Sequence, residues 1–160
     1  MNIKEKLAIK AKDVEKALHD YLVVREPKKL YEAMAHIPLA GGKRLRPIMA
    51  QLTCEMVGGD GLKSIPFAAS LEVIHNFTLV HDDVMDDDDL RHGVAACHTV
   101  YGLPTAILAG DSLFAYAFEM IVESDVSNKV KAELVRHTAY TVRRIADCLL
   151  YTSPSPRDDT

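Results

Sequence analysis

The chain has 160 residues, 48% of them apolar and 26% charged, which suits one globular domain and is too short for two ordinary ones. No apolar run approaches the ~20 residues of a membrane span, so we expect a soluble protein without a transmembrane segment. The net charge is −4, and residues 51–100 hold nine acidic against two basic side chains, which argues against binding to nucleic acid.

Apolar residues at steps of three and four predict a chain of helices. In order, these helices cover residues 3–21, 27–38, 46–57, 65–86, 105–123 and 127–147. Ser64 stands where an N-cap of the fourth helix belongs, and residues 87–102 are expected to form a loop. The fourth helix is apolar almost all round, which is typical of a central helix. Since no segment has the alternation of a strand, we predict an all-α bundle.

The N-terminus and the cysteines indicate a cytoplasmic protein. The first helix carries recurrent lysines but neither the apolar stretch nor the cleavage site of a signal peptide. Cys54, Cys97 and Cys148 form an odd set without close pairing, which argues against a disulfide framework and favours a reducing compartment. We expect them to be packing residues.

The last residues, 148–160, differ from the rest of the chain. They lose the helical period and end in a run rich in Pro and Ser. The string resembles the translation of an adapter used in making sequencing libraries, so we expect a domain over residues 1–147 and a non-native tail over 148–160. A natural frayed terminus is the alternative.

Six aspartates occupy the eight positions 82–89, at the end of the apolar fourth helix. Asp82 and Asp86 are four residues apart, so their carboxylates can converge on one point. Aspartate is a poor interior helix residue, like charges repel, and acids oppose the dipole at this end of a helix. Such local conflict points to function, here a magnesium site completed by waters and phosphate oxygens. A solvated acidic run is the alternative, and it suits residues 87–89 better.

Gly41 and Gly42, which are expected to let the backbone approach a ligand, precede three cations in the segment 41–47. Lys43 and Arg46 are three residues apart at a helix start, a suitable place for a phosphate. The alternative is that this basic turn is ordinary surface. Farther along, Arg91 can reach the same anion as the aspartates or pair with them. His75 lies on the face of Asp82, as a ligand or as an ordinary core histidine.

A zinc site is a weaker interpretation of the same region. His92, Cys97 and His98 are metal-ligating types, but they lack the paired Cys-x-x-Cys spacing of zinc sites.

Gly-Gly-Lys-x-x-Arg, His-Asp-Asp-x-x-Asp and Asp-Leu-Arg together resemble the motifs of the trans-prenyltransferases, the polyprenyl diphosphate synthase family. The similarity is greatest to geranylgeranyl diphosphate synthases and covers about residues 1–147, roughly the front half of a family member. It implies an all-α terpenoid-synthase bundle, usually a homodimer at full length. It also implies magnesium-dependent condensation of isopentenyl diphosphate with an allylic diphosphate.

The resemblance also implies roles for individual residues. Asp82 and Asp86 would hold magnesium on the allylic diphosphate with Asp83 in support, and Arg91 would contact the same diphosphate. The group that would bind isopentenyl diphosphate comprises Lys43, Arg46, His75 and His92. Many relatives carry an arginine where this chain has His92, a weaker and pH-dependent cation. No residue is expected to act as a nucleophile or base.

Product length is expected to depend on the residues below the aspartates. Phe77 and Thr78 stand five and four residues before Asp82. This arrangement is similar to that of one type of geranylgeranyl diphosphate synthase, which implies a C20 product. The alternative is that Phe77 only packs the core.

The family has a second aspartate-rich motif, and nothing after Asp111 in this sequence can take its part. We therefore expect the polypeptide itself to have little or no activity. The alternatives are a class I terpene cyclase, a non-catalytic partner subunit of a prenyl synthase, and an acidic metal-buffering module.

Overall fold

The structure, a computed structural model, describes residues 2–152, and the side chains of residues 2–147. Its helices are α1 (Ile3–Tyr21), α2 (Lys28–His36), α3 (Leu45–Met56), α4 (Ile65–Asp86), α5 (Cys97–Tyr101), α6 (Leu103–Glu123) and α7 (Asn128–Thr152). A 3₁₀ turn (Pro38–Ala40) follows α2, and two-residue strands β1 (Leu90–Arg91) and β2 (Val94–Ala95) form an antiparallel hairpin. The predicted all-α class is confirmed.

The chain divides into two compact units, one ending at Asp125 and the other beginning at Val126. The described part of the second unit contains α7. All the predicted site residues belong to the first unit.

The differences from the predicted elements lie at boundaries and in one loop. Residues 87–102 contain the hairpin and α5, whose pieces are too short to leave a periodic signal. The backbone of α7 continues to Thr152, whereas the predicted helix ended at residue 147. Residues 153–160 lie outside the described residues. Ser64 does not cap α4, since its hydroxyl donates to the carbonyl of Gly61 at 2.7 Å.

The core of the first unit is the antiparallel pair α4 and α6. Val73 and Val80 of α4 and Leu113 of α6 are fully buried, and alanines at several core positions let the two backbones approach. The packing is tight at Gly110, where an added Cβ would come within 3.0 Å of the His81 ring. Because Gly110 has no side chain, Nε2 of His81 can approach the carbonyl of Ile107 and donate a hydrogen bond to it at 3.2 Å.

Among the described helices, α6 is long and apolar enough to cross a membrane by length and composition. From the sequence we predicted no transmembrane segment and did not recognise this property of α6. Its buried face, with Ala106, Ala109 and Leu113, packs on α4 in the manner of a core helix.

Two of the three cysteines have described side chains, and both are free thiols. Cys97 is fully buried, and burial raises its pKa to about 11, so it is an unreactive packing residue as predicted. Cys54 is partly exposed. The side chain of Cys148 lies outside the described set.

Candidate diphosphate and metal site

The acidic end of α4 presents its carboxylates in three different environments. Asp82 is partly buried, Asp83 is fully buried and Asp86 is exposed. Burial raises the pKa of Asp82 above its usual range, and the nearby charge of Asp86 raises it further. The two carboxylates predicted to converge therefore repel each other, and a cation between them would relieve both effects.

The helix ends through backbone geometry at the aspartates themselves. Asp87 takes the left-handed conformation, with φ of 59°. The carbonyl of Asp83 accepts the backbone N–H groups of Asp87 and, at 2.9 Å, of Asp88. Aspartate tolerates this conformation better than most residues, so part of the acidic run serves as a helix stop.

Asp83 faces inward and binds Arg91. The guanidinium donates from Nε at 2.7 Å and from Nη2 to the same Oδ1 of Asp83. A longer contact, 3.5 Å, joins Arg91 to Asp88. The second oxygen of Asp83 is buried without a hydrogen-bond partner in the described structure. Asp83 thus holds Arg91 against the end of α4, beside Asp82.

The hairpin places Arg91 next to a tight turn. His92 and Gly93 both have positive φ, 52° and 82°, as a two-residue type I′ turn requires. The carbonyl of Asp89 closes the hairpin by accepting the N–H of Ala96 at 2.8 Å. Arg91 therefore points to Asp83, while His92 is exposed at the tip.

The loop of residues 41–46, called here the basic loop, exposes two of its three cations. Lys43 and Arg46 are exposed, whereas Arg44 is only 3% exposed. At Gly42, with φ of 147°, an added Cβ would lie 3.3 Å from Nη1 of Arg44. This glycine was expected to let the backbone approach a ligand, and in the structure it makes room for the chain's own arginine.

His75 connects the basic loop with the hairpin. The ring is half-buried, and burial lowers its pKa, followed by the charge of Arg46. The carboxylate of Glu72 opposes this change, while His92 and Arg91 lower the pKa of His75 further. The structure therefore brings together cations from α3 and the hairpin on one side of α4, one or two turns before the aspartates.

Below the aspartates, Phe77 begins a row of aromatic rings. Its ring lies 5.1 Å from that of Phe114, which in turn lies 5.1 Å from that of Phe118. Thr78 is partly exposed, and its hydroxyl donates to the carbonyl of His75 at 2.7 Å. Phe77 thus packs in a cluster, and Thr78 is the small side chain next to it.

The donor set fits magnesium better than zinc. Within the part of the chain that the structure describes, no group of three His, Cys, Asp or Glu side chains is placed to hold a metal ion. Two carboxylates suit magnesium, which takes its other ligands from water and phosphate. The buried thiol of Cys97 points to the carbonyl of Ala33 at 3.7 Å, so the zinc interpretation has no support.

Sequence reasoning missed two groups. Arg44 was counted with the basic loop but given no role, although its buried partner Glu72 on α4 was a usable signal, since buried acids need a cation. The pairing of His81 with Gly110 and Asp111 was also missed. His81 lies 3.7 Å from the Asp111 carboxylate, and only the helix packing reveals this.

Comparisons with known proteins agree with the geometry. The family model for Polyprenyl synthetase matches residues 27–147. A geranylgeranyl pyrophosphate synthase of Geoglobus acetivorans is 50% identical over 123 residues, which are 77% of this chain and 39% of that protein. The heterodimeric geranylgeranyl pyrophosphate synthase large subunit 1 of Arabidopsis thaliana is 46% identical over 123 residues, 76% of this chain and 33% of that protein.

A solved structure has the same fold. The geranylgeranyl pyrophosphate synthetase from the archaeon Geoglobus acetivorans superposes with a TM-score of 0.86 at 44% identity, over 88% of this chain and 46% of that one. The chain thus spans less than half the length of these relatives. Its helical architecture is that of the isoprenyl synthases, and the match of the family model to most of its residues shows that the chain belongs to the polyprenyl synthetase family.

Proposed function

We propose that this chain forms the substrate-binding front half of a magnesium-dependent prenyl diphosphate synthase, which joins isopentenyl diphosphate to an allylic diphosphate. The observation that carries the proposal is the position of two clusters of opposite charge beside each other along one helix, an acidic one at the end of α4 and a basic one that α3 and the hairpin contribute. The carboxylates Asp82 and Asp86 lie at the end of α4, and the cations around His75 lie about two turns before them. Two anionic substrates need two such places.

In this proposal Asp82 and Asp86 hold magnesium, and Arg91 contacts the allylic diphosphate. Magnesium, when bound, neutralises the diphosphate leaving group, so that the carbon–oxygen bond can break towards an allylic cation. Arg91 is already fixed beside Asp82 by its bonds to Asp83, so little ordering is needed when the anion binds.

The basic loop binds the second substrate in this proposal. Lys43 and Arg46 are exposed and supply positive charge for the diphosphate of isopentenyl diphosphate. The lowered pKa of His75 leaves its ring neutral near pH 7, so it donates a hydrogen bond without adding charge. His92 is exposed on the neighbouring hairpin and is a further contact for this diphosphate in the proposal.

The chemistry requires no protein nucleophile. The alkene of isopentenyl diphosphate attacks the allylic carbon, the diphosphate departs, and the proton lost from the new product passes to that diphosphate. The protein's part is to hold the two substrates in line, which supplies a large share of the rate enhancement.

We further propose a C20 product. The wall of Phe77, Phe114 and Phe118 limits the space below the aspartates, while the small Thr78 leaves part of it open. The names of the Geoglobus acetivorans relatives support this product class.

A class I terpene cyclase is the competing proposal, and the basic loop speaks against it. A cyclase binds one diphosphate, which the aspartates and Arg91 can hold without Lys43 and Arg46. A metal-buffering module likewise has no use for the cations around His75.

The state of the enzyme in the cell is also part of the proposal. We expect a cytoplasmic enzyme that dimerises at full length, as a homodimer or, like the heterodimeric Arabidopsis thaliana relative, with a different subunit. A non-catalytic partner subunit can lose its metal ligands, and the retained Asp82 and Asp86 favour a catalytic one. Without the second aspartate-rich motif, the 160-residue polypeptide itself should turn over little substrate.

Calorimetry on the 160-residue chain tests the proposal. We expect geranyl diphosphate to bind only with Mg²⁺, and isopentenyl diphosphate to bind at a separate site without competition. Competition between the two would favour the cyclase, and no uptake of either would overturn the proposal. A synthase assay in parallel should show little turnover, and full turnover would contradict the inactivity of the isolated chain.

A further inference from the structure

Arg44 is the cation of the basic loop to which the proposed function gives no task. Its side chain is nearly fully buried, while those of Lys43 and Arg46 are exposed. Its backbone has φ of 50° and ψ of 32°, a left-handed conformation that arginine rarely adopts. Such a conformation persists where the surrounding contacts determine it.

Those contacts come from three separate parts of the first unit. Nε donates to Glu15 of α1 at 2.8 Å, Nη1 donates to Glu72 of α4 at 2.9 Å, and Nη2 donates to the carbonyl of Pro38 at 2.7 Å. The guanidinium thus joins α1, α4 and the 3₁₀ turn in one fork. A planar group with donors in fixed directions can do this, and a lysine cannot.

The inward turn at Arg44 also determines what its neighbours present. With Arg44 pointing into the protein, Lys43 and Arg46 are on the outside, at the start of α3. Gly42 has no side chain to displace the guanidinium. Glu72 lies one turn before His75 on α4, so the fork ties the basic loop to the helix that carries the other contact to isopentenyl diphosphate.

We infer that Arg44 is a positioning residue, which fixes the basic loop so that Lys43 and Arg46 face the same diphosphate as His75. This inference rests on the proposed function. Arg44 itself does not touch the substrate, because its guanidinium is buried and each of its three nitrogens donates to a group within the protein. Glu15 and Glu72 share this task as its partners.

The test uses the 160-residue chain with Arg44→Lys and Glu15→Gln. Glu15→Gln alters the contact of Arg44 with α1 and leaves the sequence of the basic loop intact. It therefore tests the inference even if Arg44→Lys fails to fold. Glu32→Gln is the matched control, since Glu32 is 39% exposed against 37% for Glu15 and pairs with Lys28 away from the loop.

We expect both variants to weaken binding of isopentenyl diphosphate by about tenfold, the effect of misplacing one charge-assisted hydrogen bond. Mg²⁺-dependent binding of geranyl diphosphate should stay unchanged in both variants, and amide hydrogen exchange should quicken within residues 42–46. Equal loss of both ligands, or affinity for isopentenyl diphosphate equal to that of the unaltered chain, would overturn the positioning role while the proposed function stands. If the unaltered chain binds no isopentenyl diphosphate, the proposed function fails and the inference with it.

Discussion

Arg91 donates two hydrogen bonds to one oxygen of Asp83, and the carbonyl of Asp83 also accepts the two N–H groups that end α4. One residue therefore terminates the helix and anchors the arginine of the following hairpin. Asp82 and Asp86, on either side of it in the sequence, keep their carboxylates outside this arrangement. The Asp-Asp-x-x-Asp motif thus contains two different kinds of aspartate.

Replacing Asp83 by asparagine should lower the free energy of unfolding by about 3 kcal/mol. Asp83 is fully buried, and removing one partner of a buried ion pair leaves the other without compensation. Asp88→Asn is the control, because Asp88 is 55% exposed and pairs with the same Arg91 at 3.5 Å. Its loss should cost less than about 1 kcal/mol. Urea titrations measure both, and equal losses would show that burial of Asp83 is not the decisive factor.

Asp82→Asn should abolish magnesium-dependent binding of geranyl diphosphate and yet slightly stabilise the fold at pH 7. The pKa of Asp82 is raised in the folded chain, so the folded state favours the proton. Ionisation of Asp82 therefore destabilises the folded chain. This loss of stability is absent well below the ordinary pKa of 3.8 and grows as pH rises through the raised pKa.

Removing the charge of Asp82 should raise the free energy of unfolding by a few tenths of a kcal/mol, which is the usual repulsion between like charges four residues apart on a helix. Asp89→Asn, at the exposed end of the acidic run, is the control. It should change neither the magnesium-dependent binding of geranyl diphosphate nor the free energy of unfolding. Unfolding curves at pH 4 and pH 7 together with calorimetry provide the comparison. A destabilised Asp82→Asn at pH 7 would contradict the account.

Gly110→Ala should destabilise the first unit, although alanine is the better helix former. The exchange gains about 1 kcal/mol in helix propensity, but the new methyl group overlaps the His81 ring, and overpacking costs about 1–3 kcal/mol. In a His81→Ala background the sign should reverse, because the ring is gone. A double-mutant cycle in urea measures the coupling, and additive effects would exclude the clash.

His75→Gln should remove part of the loss of stability at acidic pH. Burial and Arg46 lower the pKa of His75, so the unfolded chain takes up its proton first. The stabilisation of the folded chain by neutral His75 is fully present above the ordinary pKa of 6.5 and declines as pH falls through 6.5 towards the lowered pKa. Unfolding curves measured from pH 5 to pH 8 should diverge from those of the parent for His75→Gln, and curves parallel to those of the parent would contradict this account.

Thr78→Phe should shorten the product of a completed enzyme, made by joining the chain to the C-terminal half of the Geoglobus acetivorans relative. A second aromatic ring beside Phe77 would fill the space left open by the small threonine. Chromatography of the dephosphorylated products measures the length. Thr78→Ser, which keeps the hydroxyl and the small size, should leave the product unchanged. A C20 product from Thr78→Phe would refute the role of this position.

The sequence predicted well those elements that depend on interactions between residues close together in the chain. The long apolar period of α4 and the start of α3 at a proline-containing turn were predicted nearly to the residue, since helix periodicity and backbone restriction act over a few positions. The hairpin was missed because two-residue strands show no alternation, and its turn uses His92 where glycine or asparagine is usual.

The candidate site divides in the same way. The clusters at Lys43 and Asp82 were visible because each breaks a local rule of charge or helix formation. The fork of Arg44 with Glu15 and Glu72 was not, because its partners are separated by 29 and 28 residues and meet through tertiary packing.

The continuous course of α4 between His75 and Asp82 sets a fixed separation along the axis. Seven residues correspond to about 10 Å of rise and close to two full turns, so both side chains emerge on one face. An inserted or deleted residue within this stretch would rotate one end by about 100° relative to the other and bring the two substrates out of line. Length polymorphism should therefore be tolerated in the flanking loops and selected against here.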